Sequence, residues 1–319
     1  MRQKTDKAIH FEPRSYLKAT TLSLLCIVGA GFSSLPAYAY EGQPSLENAT
    51  GIETAEAPSL QAILFPKGIK SIRPIAVKQA FVGDCQALSS ISSLARTQRG
   101  KELIMSYFSY PDEYHVEIKL PGAPKSIVFD VAMLNQIANI LHTNTNPHGL
   151  WGAVLEATLG LLRFEEQGMY VASSDFLAYL KFGKLHYLEA VPVASIMAQL
   201  TGMPTTNRDF EGISEEQAHT YLSQSSNRLS VIAASISLNT PPEAFPEQEF
   251  CEEIDSDHAY SVLAYDVKKR MVTIRDPRGE LVRTDMQTGT SIGYKGYGIT
   301  VMPLSDFIKL FQIILYSTM

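Results

Sequence analysis

The chain has 319 residues, of which 45% are hydrophobic and 19% charged, with a formal net charge of −6. That is enough apolar material for one large domain or two smaller lobes, each around its own core. The acidic balance argues against nucleic acid or an anionic membrane surface as a partner.

Arg2, Lys4, Lys7, Arg14 and Lys18 precede an apolar stretch from Leu22 to Phe32, and Ala37-Tyr38-Ala39 supplies a small-x-small cleavage site. The pattern predicts a signal peptide over 1–39, cut after Ala39, and a secreted or periplasmic chain. The competing reading is an uncleaved signal anchor. The apolar stretch is short for a membrane span, so no stable insertion is expected after cleavage. Residues 40–65 are rich in small and polar types and predict a flexible leader. The mature chain retains Cys85 and Cys251. Two cysteines do not make a disulfide framework, but one bridge between them would extinguish a free Cys85 thiol.

Helical periodicity runs from Cys85 to Arg99. His115 to Leu120 alternates, Pro121-Gly122 turns and Ser126 to Phe129 returns, which predicts a hairpin. Leu150 to Phe164, Phe176 to Tyr187 and Val193 to Leu200 read as helices, and Ser214-Glu215-Glu216-Gln217 as a capped helix start. The pattern then changes. Leu229 to Leu238, Ala259 to Tyr265, Met271 to Arg275, Gly298 to Met302 and Gln312 to Tyr316 read as strands, with a short helix over Ser305 to Leu310. A helical half before an antiparallel strand half predicts an α+β fold with two lobes, helical over about 66–228 and β-rich over about 229–319.

The chemistry centres on Gln79-Ala80-Phe81-Val82-Gly83-Asp84-Cys85. A cysteine that opens a helix meets the positive end of the dipole and unpaired backbone N–H groups, which favours the thiolate form. A nearby amide such as Gln79 can donate to a developing oxyanion. A cysteine nucleophile also needs a base and an orienting group. His258 stands where a polar loop meets the apolar strand, and Asp276 follows the next strand, so pairing of the two strands would bring them together. Each has a plainer reading: a surface histidine at a strand start, and a turn-forming aspartate before Pro and Gly. The acidic loop Glu252, Glu253, Asp255, Asp257 reads as solvated, as a calcium site, or as a gate preferring basic substrates; its spacing is not that of an EF-hand, and no definite metal site is predicted.

Five segments in order resemble the calpain protease core: Gln79-x-x-x-Gly83-Asp84-Cys85, Leu150-Trp151 to Ala157, Asp257-His258-Ala259-Tyr260-Ser261-Val262, Arg275-Asp276-Pro277-Arg278-Gly279-Glu280, and Tyr297-Gly298 to Phe307. The resemblance covers about residues 70–317. It implies a papain-like two-lobed catalytic domain over 66–319. Cys85 would be the nucleophile, His258 the base and Asp276 the orienting residue, with Gln79 and the Cys85 N–H as oxyanion hole. The activity implied is endopeptidase hydrolysis of protein or peptide substrates through a thioester. Calcium is the one cofactor the family suggests.

The chain departs from that pattern at three places. Asp276 stands for Asn, Gln86 for the Trp after the nucleophile, and Arg278 for the Trp that covers the His–Asn pair. Loss of that cover is expected to open the triad to water. Two alternatives follow: a Cys-His-Asp acyltransferase, transglutaminase or deamidase, and a binding protein on a decayed catalytic core. Glu156 is read as a structural helix residue.

Overall fold

The computed structural model describes residues 58–79, 83–141, 147–166, 193–210, 212–225, 228–235, 254–255, 258–279, 282–284, 291–293 and 297–317. The signal segment, most of the leader, the expected helix Phe176 to Tyr187, Cys251 and the acidic residues Glu252, Glu253 and Asp257 lie outside them.

The described chain is mixed α+β. The leader expected over 40–65 ends in a built element: α1 (Leu60–Leu64) is capped by Ser59, whose hydroxyl accepts from Ala62 N–H at 3.3 Å. Leu60, Leu64 and Phe65 are buried, so this stretch is part of the core. Next come α2 (Cys85–Leu94) and α3 (Gln98–Ser106), the latter capped by Thr97 onto Gly100 N–H. A small antiparallel sheet follows, β1 (Phe108–Ser109), β2 (His115–Ile118) and β3 (Ile127–Asp130), whose β2–β3 pair is the expected hairpin. Asp130 caps α4 (Val131–Ile140) onto Met133 N–H at 2.7 Å. After α4, α5 (Trp151–Glu166) carries the chain's single tryptophan; Trp151 is fully buried and donates from Nε1 to Ser71 O at 3.1 Å. These elements share one apolar core containing Ile72, Leu88, Ile91, Phe129 and Trp151.

The second core lies on a six-stranded antiparallel sheet. After α6 (Val193–Thr201) come β4 (Thr205–Asp209) and α7 (Glu215–Ser225). Then follow β5 (Val231–Ser235), β6 (Ala259–Asp266), β7 (Met271–Arg275), β8 (Val282–Thr284), β9 (Ser291–Gly293), β10 (Ile299–Pro303), α8 (Leu304–Leu310) and β11 (Phe311–Ser317). Spatial order is β10-β7-β6-β5-β11-β4, and β8 pairs with β9 separately. The start of α7 is the expected cap: Gln217 N–H donates to Ser214 Oγ while Gln217 Oε1 accepts from Ser214 N–H, a reciprocal capping box.

Residues 205–225 differ from expectation. They were assigned to the helical part, yet β4 is an edge strand of the large sheet, and Phe210, Ala218 and Leu222 belong to the second core. The strand Thr205-Thr206-Asn207-Arg208-Asp209 has no apolar alternation because it is an edge, largely exposed, so period-2 hydrophobicity could not reveal it. Among the described residues no helix is long and apolar enough to cross a membrane.

Candidate active site

Cys85 is the first residue of α2 and a free thiol. Its position depends on an unusual helix face. Ser89, Ser90, Ser92 and Ser93 are all fully buried. Ser89 Oγ donates to Ala259 O at 2.7 Å, and Ser261 Oγ returns a bond to Ser89 O at 2.9 Å. Ser93 Oγ donates to Val231 O and accepts from Val231 N–H, both at 2.7 Å. Small polar residues let the helix backbone approach β5 and β6 closely while satisfying the sheet's buried polar groups. Ser89 is one turn along from Cys85, and Ala259 is next to His258, so this contact fixes the distance between the thiol and the imidazole. The serine run Ser89-Ser90-x-Ser92-Ser93 is visible in the sequence, but helical spacing does not report which strand carbonyls it meets. Cys85 itself packs among Val193, Met197, Ile232, Ala259 and Leu315, a small apolar cluster where α2, α6 and the sheet meet.

His258 enters β6, and Asp276 follows β7. The strands pair antiparallel with Ser261 opposite Arg275, which brings the two residues together as expected. His258 Nε2 lies 3.0 Å from Asp276 Oδ1. The Cys85 side chain also acts on the imidazole and favours its charged form. With Nε2 committed to Asp276, Nδ1 is the nitrogen left for the thiol. Tyr260 meets the ring edge to face, centroids 4.9 Å apart. Asp276 keeps its turn-forming role as well: Oδ1 accepts from Arg278 N–H at 2.8 Å, and Gly279 N–H bonds to Asp276 O at 3.1 Å. Both readings of this aspartate therefore hold at once. Asp276 N–H donates to Gly298 O, where φ is +74° and an added Cβ would lie 2.8 Å from Asp276 O, so only glycine fits.

The expectation of a water-exposed triad is overturned. Cys85 and His258 are each 9% exposed and Asp276 is 1% exposed. Arg278 takes the covering place with a polar side chain, donating from Nε and Nη2 to the two Asp276 oxygens at 3.2 and 3.0 Å. The planar guanidinium grips the carboxylate edge-on through two N–H donors, which an aromatic ring could not supply.

Burial alone would push the His258 pKa down; its hydrogen bonds to Asp276 and Cys85, with their charges, outweigh that and raise it to about 9. For Asp276, burial pushes upward, and the bond to His258 and the charges of His258 and Arg278 bring it down to about 2. Near neutral pH the pair is an imidazolium held against a carboxylate.

Gln79 is buried, and its backbone N–H donates to Pro277 O at 2.9 Å. The amide is thereby tied to the turn that carries Asp276; residues 80–82, between it and Gly83, lie outside the described residues. Arg275 braces the same junction from beneath: fully buried, it donates to Val77 O at 2.6 Å and to Ser92 Oγ at 3.3 Å. Gln86 is partly buried on α2, beside Cys85.

Glu156 is indeed buried, 3% exposed on α5, but it is not inert packing. Its carboxyl is hydrogen-bonded to Asp84, the fully buried residue before Cys85. Burial first, then the neighbouring Asp84 charge, raise the Glu156 pKa well above the carboxylate range, so Glu156 carries the proton of the pair. Asp84 makes no side-chain cap on α2; its carboxylate turns toward α5.

Of the acidic loop, Asp255 is described, and it forms an ion pair with Arg278. Among the described residues no group of three or more His, Cys, Asp or Glu is placed to hold a metal ion. No model of a known protein family matches the chain, and no curated protein gives a significant match.

Proposed function

We propose that the protein is an exported, calpain-like cysteine endopeptidase on a papain-like two-lobed core. The observation that carries this reading is the convergence of a free helix-opening thiol, an imidazole on which that thiol acts, and a carboxylate 3.0 Å from the ring's Nε2. These three groups come from three separate elements of the chain, α2, the start of β6 and the end of β7, and meet in a buried junction.

In this reading the Cys85 thiolate attacks the carbonyl carbon of a peptide bond. The negative charge moves to the carbonyl oxygen, received by the Gln79 amide and the Cys85 N–H, the latter without an intrahelical acceptor at a helix start. The C–N bond then breaks, and the His258 imidazolium gives its proton to the departing amine. His258 next takes a proton from water, whose oxygen attacks the thioester; the acid is released and the thiolate returns. Asp276 holds one tautomer and orientation throughout. Cleavage after Ala39 would deliver the chain outside the cytoplasm.

A second reading is supported by Asp276. A carboxylate at the orienting position suits a Cys-His-Asp acyltransferase, transglutaminase or deamidase, in which an amine or water receives the acyl group.

A thiol-directed epoxide on the purified protein tests the shared chemistry. One adduct at Cys85, absent in Cys85→Ala, is expected; a protein that takes no adduct is a binding protein on a decayed core. Casein with a fluorescent primary amine separates the first two readings. New peptide termini without amine incorporation support the peptidase, and incorporation without cleavage supports the transferase. Terminal sequencing of exported protein should begin at Tyr40, and activity that is unchanged by a chelator would remove calcium.

A further inference from the structure

The turn after β7 carries more charge than a Cys-His-Asp set requires. Arg278 Nη2 is shared: it bonds Asp276 Oδ2 at 3.0 Å and pairs with Asp255 Oδ2. Asp255 N–H in turn donates to Tyr260 Oη at 2.8 Å, and the Tyr260 ring packs on His258. Asp255 precedes His258 by three residues, so one guanidinium spans the entry to β6 and the exit from β7, across the face of the base.

We propose that Arg278 and Asp255 form an ionic latch that positions Asp276 against the His258 imidazole and sets the charge the imidazole faces. The proposal deepens the catalytic reading above and rests on it. An isolated buried carboxylate beside a base is costly, and a two-pronged guanidinium offsets that cost while fixing the carboxylate plane. The groups that act on the imidazole are Cys85 from α2 and Asp276 from the turn, with the Tyr260 ring packed on it; Arg278 and Asp255 lie one contact further out, Arg278 on Asp276 and Asp255 on Arg278 and Tyr260. Arg275 stands behind Asp276, and the Asp84–Glu156 pair behind Cys85. Asp255 and Arg278 are the two charges in this set that the chemistry does not touch, so they are free to tune it. Their side chains are 13% and 25% exposed, which places the latch at the rim of the site.

The test is a titration of the His258 ring by NMR in the full chain, together with the pH profile of Cys85 alkylation by iodoacetamide. Asp255→Asn removes a negative charge and should lower the imidazole pKa by ~0.5–1 unit; Arg278→Gln removes a positive charge and should raise it by a similar amount. In Arg278→Gln the backbone N–H of residue 278 still holds Asp276, so the orienting carboxylate stays. The double variant should return close to the wild-type pKa yet alkylate no faster than Arg278→Gln alone, the non-additivity of a shared contact. Arg278→Lys keeps the charge without the fork, so it should restore the pKa but not the rate. A His258 titration that is the same in all four variants overturns the latch. If wild-type Cys85 alkylates no faster than a free thiol, the catalytic reading fails instead, while the NMR shifts still decide whether Asp255 and Arg278 act on His258.

Discussion

The two sides of the site are built by different physics. On the α2 side Cys85 is placed by uncharged contacts: serine hydroxyls on strand carbonyls, and an apolar cluster around the thiol. On the β6–β7 side His258 is placed by charge, through Asp276, Arg278 and Asp255. Neutral hydrogen bonds are short-ranged and geometrically strict, so they suit a group whose position must be exact to fractions of an ångström. Charges act over longer distances and set protonation, which suits the group that moves a proton.

The comparison breaks first at the one place where charge lies beneath the nucleophile. Glu156→Leu removes the carboxyl that donates to buried Asp84, and should destabilise the fold by ~3–5 kcal/mol; Glu156→Gln keeps a donor and should stay near wild type. Urea denaturation monitored by circular dichroism compares the two. Equal stability of both variants would mean that Glu156 is packing alone.

Gln79→Ala separates binding of the oxyanion from reactivity of the thiol. A drop in kcat of ~10²–10³-fold is expected, with iodoacetamide alkylation of Cys85 unchanged, since alkylation forms no oxyanion. Loss of both rates together would assign Gln79 to the scaffold instead.

Ser89→Ala sharpens the neutral side. It removes only the hydroxyl and leaves Ala259 O without its 2.7 Å donor, at a cost of ~1–3 kcal/mol. Thermal unfolding should show the loss, and turnover should fall beyond it, because Ala259 adjoins the base. A variant as active and as stable as wild type would sever the link between the serine face and catalysis.

The charged side has its own smaller signature in pH. The His258 pKa is raised to about 9, so the stabilisation it gives is complete below its unfolded value of about 6.5 and is lost as pH rises through about 9. Asp276 is lowered to about 2, so its contribution is present above an unfolded value of about 3.9 and lost as pH falls toward 2. Activity that needs the imidazolium should decline about tenfold per unit above pH 9. In Asp276→Asn that decline should begin at lower pH. A rate profile with the same alkaline limb in both proteins would detach the limb from His258.

Much of this was legible along the chain. Strong apolar patterns gave α5, the β2–β3 hairpin, β6, β7 and β11 close to their observed bounds, because each is largely buried and shows it in its run or spacing of apolar residues. Cys85, His258 and Asp276 were readable for a related reason: a helix start, a strand start and a strand end are local events with local signals. The edge strand β4 was not readable, since an exposed strand has no buried face to advertise.

The sequence by itself determined the succession of a helical stretch and a strand-rich stretch, and the local settings of Cys85, His258 and Asp276. Tertiary structure alone decided that Ser89 meets Ala259, 170 positions away, that Glu156 meets Asp84, and that Arg278 covers the triad rather than exposing it. The reason is physical: periodicity reports whether a side chain is buried, but not what it is buried against, and the partners of a buried hydroxyl or carboxyl are set by how the helices dock on the sheet.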